Sequence, residues 1–128
     1  MVLGLRSQKK GMQVGMGLTT QLDTQAAAVT AVAYTSSGAI KEADNVITVA
    51  TNEAAYTIAK PRIGRILVIT ESGAAADGIT VTLTEGTFDG TNNQATFNAA
   101  NETLVLLGIS DKRFLILKNI GSVALAAV

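Results

Sequence analysis

Ile79-Thr80-Val81-Thr82-Leu83-Thr84 alternates aliphatic and hydroxyl side chains, the period of a β-strand with one dry face and one wet face. The loop before it, 71–78 (ESGAAADG), ends in the turn pair Asp77-Gly78. The same punctuation runs in both directions. Upstream, 45–50 (NVITVA) and 55–59 (AYTIA) flank Thr51-Asn52-Glu53, and Pro61 to Gly64 interrupts before 65–70 (RILVIT), which reads as two hairpin-like pairs. Downstream, 89–93 (DGTNN) leads to 94–98 (QATFN), followed by apolar runs at 102–107, 113–119 and 123–128. About eight strands at this spacing predict an all-β fold, a compact antiparallel β-sandwich or barrel-like domain over 41–128 with an extended N-terminal arm before it.

Three of the predicted strands differ from 79–84. Ile66 to Ile69, Leu104 to Leu107 and Leu115 to Leu117 are apolar at consecutive positions, hence on both faces of the strand. One sheet-on-sheet core covers only one face, so the second needs barrel-like closure, the N-terminal segment or another subunit. The subunit reading places Leu67 and Ile69, or else Ile66 and Val68, at a contact between copies.

Residues 1–40 carry four charges, Arg6, Lys9, Lys10 and Asp23, and no turn-bounded series of strands. Met12, Val14, Met16, Leu18 and Leu22 fall on alternate positions, the pattern of an extended arm with one apolar edge. Gly15 and Gly17 raise the entropic cost of ordering such an arm, so a groove or sheet edge should receive it. From Thr20 onward a helix competes, because Thr20 and Asp23 sit at capping-box spacing and Leu22, Ala26, Val29 and Ala33 share a helical face. The segment 23–34 is open between the two.

The 128 residues suffice for one core, and the absence of His and Cys excludes imidazole bases, thiol nucleophiles, disulfides and zinc or iron–sulfur ligation by those residues. Ten basic and ten acidic residues give a net charge of zero, with three of the basic ones ahead of the first acid. Nothing approaches 18 consecutive apolar residues, and MVLGLRSQKKGMQ reverses the order of a signal peptide, so the expectation is a protein made in the cytoplasm and not held in a membrane.

No motif identifies a reaction. The acids lie singly in turns or at strand ends, and Asp89-Gly90-Thr91-Asn92-Asn93 reads as a hairpin turn that lacks the alternating ligands of a calcium loop. Gly11, Gly15 and Gly17 do not compose a dinucleotide fingerprint, and no phosphate-binding GxxxxGK[ST] occurs. Arg6, Lys9 and Lys10 have the composition of a solvated terminus that also suits an acidic protein surface, while the acidic remainder argues against nucleic acid. The row Thr80, Thr82, Thr84 follows from β-propensity, and the sequon Asn101-Glu102-Thr103 has no secretory signal ahead of it. No enzyme, cofactor, metal or small-molecule substrate is expected.

A mildly basic pliant arm, a Thr/Ala/Gly-rich β domain, a terminal strand GSVALAAV and the run Lys112-Arg113-Phe114-Leu115-Ile116-Leu117-Lys118-Asn119-Ile120-Gly121 together resemble small virion proteins of tailed bacteriophages, the capsid decoration or cement proteins above all. The resemblance implies a structural protein of the virion that self-associates symmetrically, often as a trimer, lays its arm over the shell and takes the major capsid protein as partner. The expected contact residues are then Arg6, Lys9, Lys10, Met12, Val14, Met16, Leu18 and Leu22 in the arm, with Leu67 and Ile69 in the sandwich. The competing expectation is a fibre, spike or tail-associated module that recognises a host surface or carbohydrate, for which a chain with no Trp, three Phe and two Tyr is poorly equipped.

Overall fold

The computed structural model describes residues 31–73 and 78–128, which form ten strands and, among the described residues, no helix. The strands are β1 Val32–Tyr34, β2 Gly38–Ala39, β3 Val46–Val49, β4 Ala55–Ile58, β5 Ile66–Glu71, β6 Ile79–Leu83, β7 Gln94–Phe97, β8 Thr103–Gly108, β9 Phe114–Ile120 and β10 Ala124–Ala126. Each of the eight predicted strands is present, as β3 to β10. The sheets also take in β1 and β2, so the sandwich reaches back into residues assigned to the arm, and Val32–Tyr34 is strand. The arm contacts expected at Arg6, Lys9, Lys10, Met12, Val14, Met16, Leu18 and Leu22 lie outside the described residues.

Two sheets of five strands face each other, ordered β1-β3-β5-β8-β9 and β10-β7-β6-β4-β2. Their pairing is mixed, which departs from the antiparallel expectation. From β1 to β6 the chain crosses to the opposite sheet after every strand, so β1, β3 and β5 stack parallel in the first sheet and β2, β4 and β6 stack parallel in the second. The two hairpin-like pairs read around Thr51-Asn52-Glu53 and Pro61–Gly64 are therefore crossovers between sheets. Val49 is bonded across to Glu71 and Tyr56 across to Val81 rather than to each other's strands. Parallel neighbours need a long connection, and here each connection contains a strand of the facing sheet. Only after β6 does the chain double back on itself, in the antiparallel pairs β6–β7 and β8–β9, with β10 closing on β7.

Strand alternation builds the core. Ile47, Val49, Leu67, Ile69, Leu104, Leu106 and Phe114 point inward from the first sheet, and Tyr56, Ile58, Ile79, Val81, Leu83, Ala95 and Phe97 from the second, all buried. At the end where β5 begins, Phe88 from the β6–β7 loop stacks on Phe114 with centroids 6.1 Å apart. Tyr34 meets Tyr56 edge to face at 6.0 Å, and the Tyr56 hydroxyl donates to the Tyr34 carbonyl at 2.9 Å. Asp89 accepts from the amides of Thr91 and Asn92 at 2.9 and 2.7 Å and from the Asn92 side chain at 2.8 Å, so its loop is the hairpin turn predicted, with both carboxylate oxygens engaged.

Candidate functional site

Sheet parity decides which half of each doubly apolar strand faces out. On β5 the inward positions are Leu67, Ile69 and Glu71, and the outward ones Ile66, Val68 and Thr70. Leu67 and Ile69 are both 0% exposed in the core of the single chain, so they cannot form the contact between copies expected of them; the alternative pair, Ile66 and Val68, faces outward. On β8 the outward residues are Thr103, Val105 and Leu107, and on β9 Leu115 and Leu117 are exposed.

Register gathers these side chains into rows. Ile66, Leu107 and Leu115 stand opposite one another across β5, β8 and β9, and the next row is Val46, Val68, Val105 and Lys118. A third row of Thr48, Thr70, Thr103 and Ile120 is mostly hydroxyl, with the Thr70 and Thr103 side chains hydrogen-bonded at 2.9 Å. A β-bulge where Val105 passes to Leu106 leaves Leu117 unmatched on β8 and 51% exposed.

The aliphatic row continues onto the loops at the end where β5 begins. Ile109 follows β8 and Ile63 precedes β5, in a loop tied down by the Gly64 amide donating to the Gly108 carbonyl at 2.7 Å. Ile63 is 80% and Ile66 54% exposed, and Ile109 and Leu115 are also exposed. Five of the large exposed hydrophobics, Ile63, Ile66, Ile109, Leu115 and Leu117, thus share one corner of the first sheet.

Ion pairs sew the loops around that corner. Arg62 grips Glu42 through Nε and Nη2 at 3.0 and 3.2 Å, Lys112 reaches Glu85 at 3.2 Å, and Lys60 lies 4.0 Å from Asp111. The Arg62 hydrogen bonds hold the Glu42 carboxyl below its ordinary range. Behind this rim, burial pushes the Tyr34 hydroxyl above its usual range, aided by its hydrogen bond to Asp44, so at neutral pH it is a donor. Burial also lowers Arg65, whose Nη2 donates to the Lys41 and Asp44 carbonyls at 3.2 and 3.0 Å.

The opposite end is acidic. Glu71 is buried and accepts from the Gly73 amide, and buried Glu102 accepts from the Asn98 and Ala99 amides at 2.6 and 3.2 Å. Burial of these two carboxylates was not foreseen from their positions in turns and at strand ends. Both close turns, and no three acidic side chains among the described residues meet in a metal-binding group.

The outer face of the second sheet carries Thr57, Thr80, Thr82, Gln94 and Thr96 with flanking alanines and no charged residue, Gln94 donating to Thr82 at 3.0 Å. The chain matches no protein-family model and shows no significant sequence similarity to a curated protein.

Proposed function

We propose that this chain is a non-enzymatic structural protein of a tailed-phage virion, of the capsid decoration or cement type, which stabilises the shell formed by the major capsid protein. The observation that supports this reading most is the aliphatic corner of Ile63, Ile66, Ile109, Leu115 and Leu117 on a domain whose outer sheet faces carry Lys118 as their one charge among the described residues. Such surfaces suit packing against neighbours in an assembly. In this reading the N-terminal arm, with its basic residues and the alternating Met12, Val14, Met16 and Leu18, attaches the domain to the shell, and the virion is where the protein acts after synthesis in the host cytoplasm.

The fibre or carbohydrate-binding alternative needs an aromatic platform. Tyr56, Phe88, Phe97 and Phe114 are buried, and Tyr34 is half-buried and engaged with Asp44 and Lys41. That leaves only the threonine face of the second sheet to support it.

Particles of the encoding phage assembled without this protein provide the test. Purified full-length chain should bind them saturably and raise the temperature at which they release their genome. Failure to bind such particles, together with binding to the host cell surface, would replace this reading with the fibre or spike alternative.

A further inference from the structure

We propose that Glu71 and Glu102 bind a calcium ion at the end of the sandwich where β5 finishes. The two residues oppose each other across β5 and β8. The Glu71 amide donates to the Glu102 carbonyl at 2.9 Å and the Asn101 amide to the Glu71 carbonyl at 2.8 Å, with Asn101 at a φ of 71°, the pattern of a bulge in which two residues face one. Glu71 shares the inward parity of Leu67 and Ile69, and Glu102 that of Leu104 and Leu106, so both carboxylates enter the same face. Opposed cross-strand residues place their β-carbons about 5 Å apart, and like charges there repel.

Glu71 is 0% and Glu102 7% exposed. Glu71 Oε1 accepts from the Gly73 amide, while its Oε2 is buried without a hydrogen-bond partner. In Glu102 both amide bonds go to Oε2, and Oε1 takes neither. A β-carbon on Gly121 would lie 2.9 Å from Glu102 Cγ, so the backbone after β9 hems this side chain in. Neither carboxylate enters an ion pair among the described residues. Of the described Lys and Arg, all but Lys118 lie at the opposite end, where β5 begins, and Lys118 is on the outer face of β9. A buried carboxylate is costly without a counter-charge, and here two of them lack one.

The donor atoms select the ion. A chain with no His and no Cys offers neither imidazole nor thiolate to a transition metal, and carboxylate oxygens suit a hard cation. Calcium completes its shell with backbone carbonyls and water in irregular geometry, whereas magnesium demands a near-ideal octahedron and gives up its water reluctantly. Two carboxylates set the affinity at the weak end of protein calcium sites, with a Kd of about 0.1–1 mM.

Urea unfolding of the full chain, first dialysed against EDTA, tests this in about 10 mM calcium chloride against sodium chloride of equal ionic strength. Calcium should lower the unfolding equilibrium constant about tenfold or more. Glu71→Gln and Glu102→Gln keep the size of each side chain and should each abolish the gain, while Glu42→Gln, at the opposite end, should retain it; circular dichroism confirms that each variant keeps its sheets. Carboxyl carbon shifts of the unaltered chain, followed by nuclear magnetic resonance during the titration, locate the ion without any substitution. Those of Glu71 and Glu102 should move, and those of Glu42 and Asp89 should not. No gain over sodium, an equal gain with magnesium, a gain retained in Glu71→Gln, or shifts confined to other carboxylates would overturn the proposal. None of these outcomes depends on particle binding, so the site and the virion reading stand or fall separately.

Discussion

A β-carbon placed on Gly108 would lie 1.8 Å from the carbonyl oxygen of Arg62, a backbone atom with no freedom to swing aside. Gly108 ends β8 on its buried side, and the loop carrying Arg62 crosses directly over it. Gly108→Ala should cost about 3 kcal/mol, near the upper end for overpacking, through displacement of the loop that carries Ile63. Urea denaturation of the variant checks the size, and a loss under about 0.5 kcal/mol, the range of a neutral surface substitution, would mean the loop moves freely.

Adjacent positions on β5 should respond in opposite ways. Leu67→Ala removes a fully buried side chain and should cost about 2–5 kcal/mol of folding stability. Ile66→Ala, on the outward face, should change the stability of the dilute monomer by no more than about 0.5 kcal/mol. Equal effects of the two substitutions would contradict the parity assigned to the strand.

Acid sensitivity should trace in part to Asp89. Partial burial alone would raise its pKa, but the amides of Asn92 and Thr91 and the Asn92 side chain outweigh this and bring it below the ordinary 3.8. Its folded pKa is depressed, so its stabilising effect is present above the unfolded value and is lost as pH falls through the folded one. Urea midpoints measured from about pH 5 down to about pH 2 should decline less steeply for Asp89→Asn than for the parent chain. Parallel declines would assign the acid limb to other carboxylates.

Glu102 holds the turn between β7 and β8 by accepting two backbone N–H groups. Glu102→Ala should cost about 1–3 kcal/mol, because the amides of Asn98 and Ala99 lose their acceptor in a part-buried turn. Faster amide exchange confined to Asn98 through Asn101 is the expected signature, and unchanged exchange there would show that solvent replaces the carboxylate without penalty.

Removal of residues 1–22 should abolish attachment to particles while the circular dichroism of the sheets persists. Neutralising Arg6, Lys9 and Lys10 alone should only weaken attachment and reduce its salt dependence, since exposed charges contribute less than buried aliphatic side chains. Undiminished attachment of the truncated chain would move the binding surface to the sandwich.

The strands were legible because their alternation is written in side-chain chemistry, as in Ile79, Val81 and Leu83 against Thr80, Thr82 and Thr84. Val32-Ala33-Tyr34 and Gly38-Ala39 escaped because so short a run of small or unpatterned residues has no period to read. The hairpins failed for a different reason. Thr51-Asn52-Glu53 marks a reversal of the chain, and a reversal into the facing sheet has the same turn chemistry as one into a neighbouring strand. Parity on β5 was ambiguous because four consecutive aliphatic residues suit either face, and its flanking charges mislead. Arg65 and Glu71 share the parity of Leu67 and Ile69, and they tolerate it because each finds backbone partners at an end of the sandwich. The exposed corner was partly visible, through Ile66, Val68 and Leu115 to Leu117. Ile63 and Ile109 were not, since their place depends on how the loops pack.

The stacking of β1, β3 and β5 against β2, β4 and β6 also governs how the chain reaches its native state. No parallel pair can form between consecutive strands: Ile47 waits for Ile69, and Tyr56 for Val81, each across an intervening strand of the other sheet. Loop-closure entropy is spent before such pairs return any stabilisation, which slows folding into the millisecond-to-second range of non-local β proteins. The hairpins β6–β7 and β8–β9 are the sequence-local pairs, and during synthesis β4 and β5 each keep an unmatched edge until β6 and β8 have emerged.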